Sequence, residues 1–196
     1  MITRNQALDL LHKHMQNANL RRHCYSVEAV MKALARHFKE DEELWGIVGL
    51  LHDGDYEEVK DDVKMHTIKM AQWLKDAGET NEDLLSAILS HNYAHLDRRS
   101  LGEGGHGHAP KNNLEWSLYC CDELAGLIVA VALVKDKKLV NADVESVLHK
   151  FPQKKFAAGV NRNQIAMCKE KLNIELPEFI TIALKSMQAI STDLGL

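Results

Sequence analysis

Apolar residues recur at helical spacing along most of the chain. Val27, Val30, Met31, Leu34 and Phe38 trace one face of an amphipathic helix over about residues 20–38, for which Asn19 can serve as the cap. Asp41 then caps a short helix running through Leu51. Leu44, Trp45, Ile47, Val48, Leu50 and Leu51 leave that helix almost no polar face, so it belongs at the centre of the fold. Upstream, Thr3 and Gln6 have the spacing of a capping box and open a helix over about residues 4–16. Downstream, the pattern predicts a helix over about 62–76, ended by Gly78, and one from a Thr80 cap to about His91.

Residues 97–113 break the pattern with glycines at 102, 104, 105 and 107 together with His106, His108 and Pro110, and read as a loop. A long helix covers about 112–134. After the turn Lys135-Asp136-Lys137-Lys138, helices follow near 143–150, 161–172 and 177–192, with Pro177 in the first turn of the last. No segment alternates with the period of a strand, and there is no internal repeat. The expectation is an all-α chain forming one domain over residues 1–196, with a core at about 20–134 and a helical extension beyond it.

Composition narrows the function. The formal charge of −4 gives no general attraction for phosphate backbones, which argues against a bulk nucleic-acid binder. The longest apolar run, Leu124 to Val134, is 11 residues, whereas a membrane span needs about 20. It reads as a core helix, with no membrane partner expected. Cys24, Cys120, Cys121 and Cys168 form no C-x-x-C pair and no disulfide framework, and the N-terminus has no secretory apolar core. A reducing cytoplasm is the expected location. The unusual count is histidine, 11 in 196 residues.

Most of those histidines have ordinary explanations: a lone histidine on a helix is usually solvated or hydrogen-bonded, and His12, His14, His37 and His149 fit that description. His52-Asp53 differs, because it puts an imidazole and a carboxylate together at the end of a buried helix, where both can converge on a cation. Asp122 lies in the middle of an otherwise apolar helix, and a buried carboxylate needs a partner. A salt bridge would satisfy it, and so would a metal. His23, His66 and His91 can join from other helices. Four imidazoles and two carboxylates suit Fe, Mn, Co, Ni or Zn, and Asp53 has two oxygens with which to bridge two ions.

These residues, in this order, resemble the HD superfamily of metal-dependent phosphohydrolases. "LRRHCYSVEAVMKALA" is similar to the helix of the family's first histidine, and "LWGIVGLLHDGD" to the helix leading into the His-Asp doublet. "HTIKMAQWL" and "LLSAILSHNYAH" resemble the additional histidine segments of the dinuclear HDIG-type subgroup, which includes diadenosine tetraphosphate hydrolases. "LEWSLYCCDELAGLI" resembles the helix of the last aspartate. The likeness covers about residues 20–130. It implies one metal held by His23, His52, Asp53 and Asp122, and a second held by His66, His91 and the other oxygen of Asp53. The chain departs from the subgroup after the doublet. Gly54-Asp55-Tyr56 stands where those proteins have Ile-Gly, and a lysine common shortly afterwards is replaced near Tyr56.

The resemblance implies hydrolysis of a small phosphorylated substrate, a nucleotide or a related phosphoester or anhydride, by metal-activated hydroxide. Asp53 would both bind metal and orient the nucleophile. His95 is four residues past His91, hence on the same face if the helix continues, and is a candidate proton donor or phosphate contact. Arg98, Arg99 and Lys111 flank the glycine-rich loop and can clamp anionic oxygens, with the loop as a lid and His106 and His108 within it. Asp55, Glu57 and Glu58 can supply a base or support the ligands, though a solvated acidic turn suits the last two better. The same ligand set also fits a mixed-valence di-iron oxygenase. A non-catalytic metal- or nucleotide-sensing module is the third reading.

Overall fold

The computed structural model describes residues 1–95 and 108–196, and every regular element among them is helical. In chain order these are α1 (Arg4–His14), α2 (Ala18–Phe38), α3 (Glu42–Leu51), α4 (Tyr56–Val59), α5 (Ile68–Asp76), α6 (Glu82–His91), α7 (Asn113–Leu133), α8 (Val144–Lys150), α9 (Arg162–Leu172), α10 (Leu176–Gln188) and α11 (Ser191–Leu194). Short 3-10 turns cover Val63–Met65, Asn92–His95 and Leu139–Asn141. The all-α fold class is therefore as expected.

Local chemistry explains where the helices begin and end. Thr3 and Gln6 form the reciprocal capping box that starts α1, and Asp41 accepts the backbone N–H groups of Glu43 and Leu44 at the start of α3. The cap of α2 is Asn17, which accepts from Asn19 and Leu20, and not Asn19 itself. The cap of α6 is Asn81, one residue beyond the expected Thr80, because the N–H groups of Thr80 and Asn81 are both taken by the Glu79 carboxylate (2.8 Å each). The helix expected over 62–76 forms only from Ile68. Residues 63–65 make a 3-10 turn, and Thr67 adopts a positive φ of 69° that no α-helix accommodates. The helix expected over 177–192 divides into α10 and α11 around Ala189 and Ile190.

The core forms where α2, α3 and α7 meet. Trp45 through Leu51 of α3 are all buried, as the pattern of that helix requires. Gly49 sets the α2–α3 crossing: a Cβ there would stand 2.8 Å from the Val27 carbonyl oxygen and 3.0 Å from the Glu28 Cα. Helix α7 packs against α2, α6 and α9, and α10 packs against α2, so the C-terminal helices share apolar surface with the earlier ones. Among the described residues α7 is the one helix long and apolar enough to cross a membrane. Buried residues make up 56% of its most apolar stretch. All four cysteines are free, buried thiols.

Candidate metal centre

These helices and the turns between them bring six candidate donor residues together. His52 follows the last turn of α3 and is fully buried. Its Nδ1 lies 2.8 Å from the Gly49 carbonyl oxygen; because a carbonyl can only accept, Nδ1 carries a proton and Nε2 is the nitrogen left to face the site. That Nε2 is 3.2 Å from the Nε2 of His23 on α2 and 3.5 Å from Oδ1 of Asp122 on α7. His23 Nε2 is 2.8 Å from the same Asp122 oxygen. Asp53 Oδ2 completes this first group, 3.6 Å from His52 Nε2 and 3.8 Å from His23 Nε2.

The other oxygen of Asp53 faces a second group. Its Oδ1 is 3.2 Å from Nε2 of His66 and 3.2 Å from Nε2 of His91, the last residue of α6. The His66 and His91 ring centroids are 5.3 Å apart, and those of His52 and His91 4.8 Å. Among the described residues, every ion pair of Asp53 and Asp122 is with a histidine.

This geometry suits metal ions. Nitrogen and oxygen donors about 2.1 Å from a tetrahedral centre stand about 3.4 Å from one another. The separations within the first group, 2.8–3.8 Å, bracket that value. Two sets of three residues, His23 with His52 and Asp122, and His52 with Asp53 and His91, have donor atoms that all lie within 4.8 Å of one another.

The charge balance of the metal-free cluster agrees. Burial opposes a charge on His23, but the hydrogen bond and charge of Asp122, with help from Asp53, outweigh it and raise its pKa to about 9. For His66 burial is likewise outweighed, by Asp53 and Asp55, and the pKa rises to about 10. Burial dominates at His91, which is pushed below its ordinary value and stays neutral. Burial would raise Asp53 and Asp122, yet the surrounding imidazoles hold both carboxyls well below the usual range. In the metal-free cluster, protons on the imidazoles balance the carboxylates. Cys24 and Cys121 stand beside the site, and burial followed by the nearby carboxylates drives both thiols far upward, so neither is a nucleophile.

The other candidates are placed differently. Asp55 is fully buried and accepts from His66 Nδ1 (2.7 Å) and from the Met70 backbone N–H (3.0 Å). Glu57 instead accepts the backbone N–H groups of Gln16 and Asn17, and Glu58 binds His14 and Lys69. Glu57 thereby braces the α1–α2 turn, and Glu58 ties α1 to α5. Helix α6 ends at His91, and residues 92–95 continue as a 3-10 turn. The side chain of His95, and Arg98, Arg99 and His106, lie outside the described residues. Lys111 is exposed just before α7, and its backbone N–H donates to the buried Glu115. His108 contacts Ser86 on α6 (3.0 Å). The sequence offered no sign of the Gly49 carbonyl that orients His52. Nor did it show Asn92, whose side-chain amide donates to the His66 carbonyl (3.3 Å).

The chain belongs to the HD domain family, whose model matches residues 20–127, more than half of its length and all six donor residues. That family consists mostly of metal-dependent phosphohydrolases. No curated protein and no solved structure matches the chain. The family match ends within α7, and α8 to α11 lie beyond it.

Proposed function

We propose that this protein is a metal-dependent phosphohydrolase acting on a small phosphorylated metabolite, a nucleotide or a related phosphoester or anhydride. The observation that carries this reading is Asp53, whose two carboxylate oxygens face two separate donor groups. His23, His52, Asp122 and Asp53 Oδ2 would hold one divalent ion; His66, His91 and Asp53 Oδ1 would hold a second. Imidazole and carboxylate donors suit Fe, Mn, Co, Ni or Zn. Ions bound there acidify water toward neutrality and polarise phosphoryl oxygens.

The chain's own contribution is positioning. The Gly49 carbonyl fixes the His52 tautomer, and the burial of His52, His66 and His91 keeps water away from the back of the site. A metal held by Asp53 and Asp122 would take the place of the protons on their histidine partners, so loading would release protons from His23 and His66. In the same reading Arg98, Arg99 and Lys111 would contact the anionic substrate oxygens, and His95 would donate a proton to the leaving group or contact phosphate. The four free thiols support a reducing, cytoplasmic setting.

A screen over nucleotides, dinucleotides and sugar phosphates, run with Mn, Co, Ni and Fe in turn, tests the proposal. Phosphate release with at least one metal is expected. Metal-loaded protein that consumes oxygen and releases no phosphate would move the assignment to an oxygenase. Metal-loaded protein that binds nucleotides without turnover would make it a sensor.

A further inference from the structure

His66 is the one imidazole of the six-residue set that neither lies in an α-helix nor caps one. It stands in a turn between the 3-10 residues Val63–Met65 and α5. The next residue, Thr67, is β-branched, buried and at a φ of 69°, a conformation that persists only where its surroundings enforce it. Thr67 also gives α5 no side-chain cap. Backbone rigidity therefore does not aim this imidazole.

Asp55 does what the backbone does not. Its carboxylate straddles Thr67: Oδ1 accepts from His66 Nδ1 at 2.7 Å, and Oδ2 accepts the Met70 N–H in the first turn of α5 at 3.0 Å. One fully buried side chain thus caps α5 across the strained residue and holds the His66 ring by its Nδ1–H, leaving Nε2, 3.2 Å from Asp53 Oδ1, as the nitrogen available to a metal. Among the described residues no other imidazole of the set has a carboxylate on its Nδ1. His52 leans on a neutral carbonyl, and His91 Nδ1 is buried with no hydrogen-bond partner among the described residues.

We propose that Asp55 is the positioning residue for the second metal position, holding His66 in place and raising its donor strength, so that occupancy of that position, and not of the first, depends on this carboxylate. The proposal rests on the reading above that His66, His91 and Asp53 Oδ1 form a second position. A carboxylate behind a ligand imidazole contributes roughly 10- to 100-fold in metal affinity.

The test is Asp55→Asn. Both partners of Asp55 are N–H donors, and asparagine can accept from one only; its amide must face the other. Cobalt titration by calorimetry, with elemental analysis after dialysis, should show two ions in the wild type. The variant should keep the first affinity and lose about 10- to 100-fold in the second. In a His66→Ala background the same substitution should have no further effect on metal uptake. Equal affinities in wild type and variant, or an equal loss at both positions, would overturn the proposal, the latter marking Asp55 as a structural cap alone. Should the variant not fold, NMR of zinc-loaded wild type decides: an exchange-protected proton on His66 Nδ1 is expected, and its absence overturns the assignment. A wild type that takes up one ion or none would instead sink the two-metal reading, and this inference with it.

Discussion

The two halves of the donor set are held by different means. His23 and Asp122 lie within α2 and α7, His52 ends α3, and these three helices pack directly on one another in the core. His66 and His91 stand in a turn and at a helix end, beside the segment that leads to residue 96. The first half is aimed by the α2–α3 crossing and by a helix carbonyl; in the second, His91 is carried by the end of α6 and His66 is aimed by a buried carboxylate bridging a strained turn. The contrast teaches that donors carried on core helices are arranged by the packing that folds the chain. Donors on turns need dedicated polar support, which packing alone does not supply.

Substitutions of the site carboxylates break this comparison most sharply. Asp53→Ala removes the residue shared by both halves and should abolish metal loading and turnover together while leaving the helical circular dichroism in place. Asp122→Ala should remove one ion and spare the other, because only the first half contains it. Elemental analysis of the two proteins side by side checks both outcomes, and full two-ion loading of Asp53→Ala would refute the shared-ligand assignment.

A smaller effect is expected from the helix crossing. Gly49→Ala places a methyl against the Val27 carbonyl and the α2 backbone, so the helices must separate, at about 1–3 kcal/mol. Gly46→Ala meets only the Lys32 side chain, which can swing aside, and should change stability by about 0.5 kcal/mol or less. Denaturant titration ranks the two. Gly49→Ala should also weaken the first ion more than the second, since Gly49 carries the carbonyl that orients His52.

The gentlest probe is pH. In the metal-free protein His23 and His66 are raised from 6.5 to about 9 and about 10. Groups raised on folding contribute stability that is fully present below the unfolded value of 6.5. That stability is lost as pH climbs through the folded values. Thermal stability in the presence of a chelator should therefore fall between pH 7 and 10. Saturating metal takes the place of those protons, so the loaded protein should lose less over the same range. Parallel melting curves with and without metal check this, and coincident pH profiles would count against the protonated-histidine cluster.

Much of the fold was legible because its signals are local. The apolar run from Leu44 to Leu51 could only be a buried helix, Thr3 with Gln6 could only begin one, and a carboxylate inside α7 demanded a partner. The main failure has a tertiary cause. The helix expected from residue 62 starts at Ile68, whereas α6 ends at His91 as expected. Near the start of α5 a side chain distant in sequence, Asp55, takes a backbone N–H and the His66 ring, and helical periodicity carries no trace of such a competitor. Glu57 and Glu58, adjacent to Asp55 in the same acidic stretch, turned out to brace the α1–α2 turn and α5.

By itself, then, the amino-acid sequence determined the all-α class and most helix boundaries, and it pointed to six candidate donor residues. Each of these depends on residue type and short-range spacing. The pairing of donors on opposite oxygens of Asp53 was already implied by the family resemblance, but the close approach of the donors and the capture of His66 by Asp55 were decided only in the tertiary structure. They depend on distances between residues far apart in the chain: His23 and Asp122 come within 2.8 Å across 99 positions, and no periodicity encodes that approach.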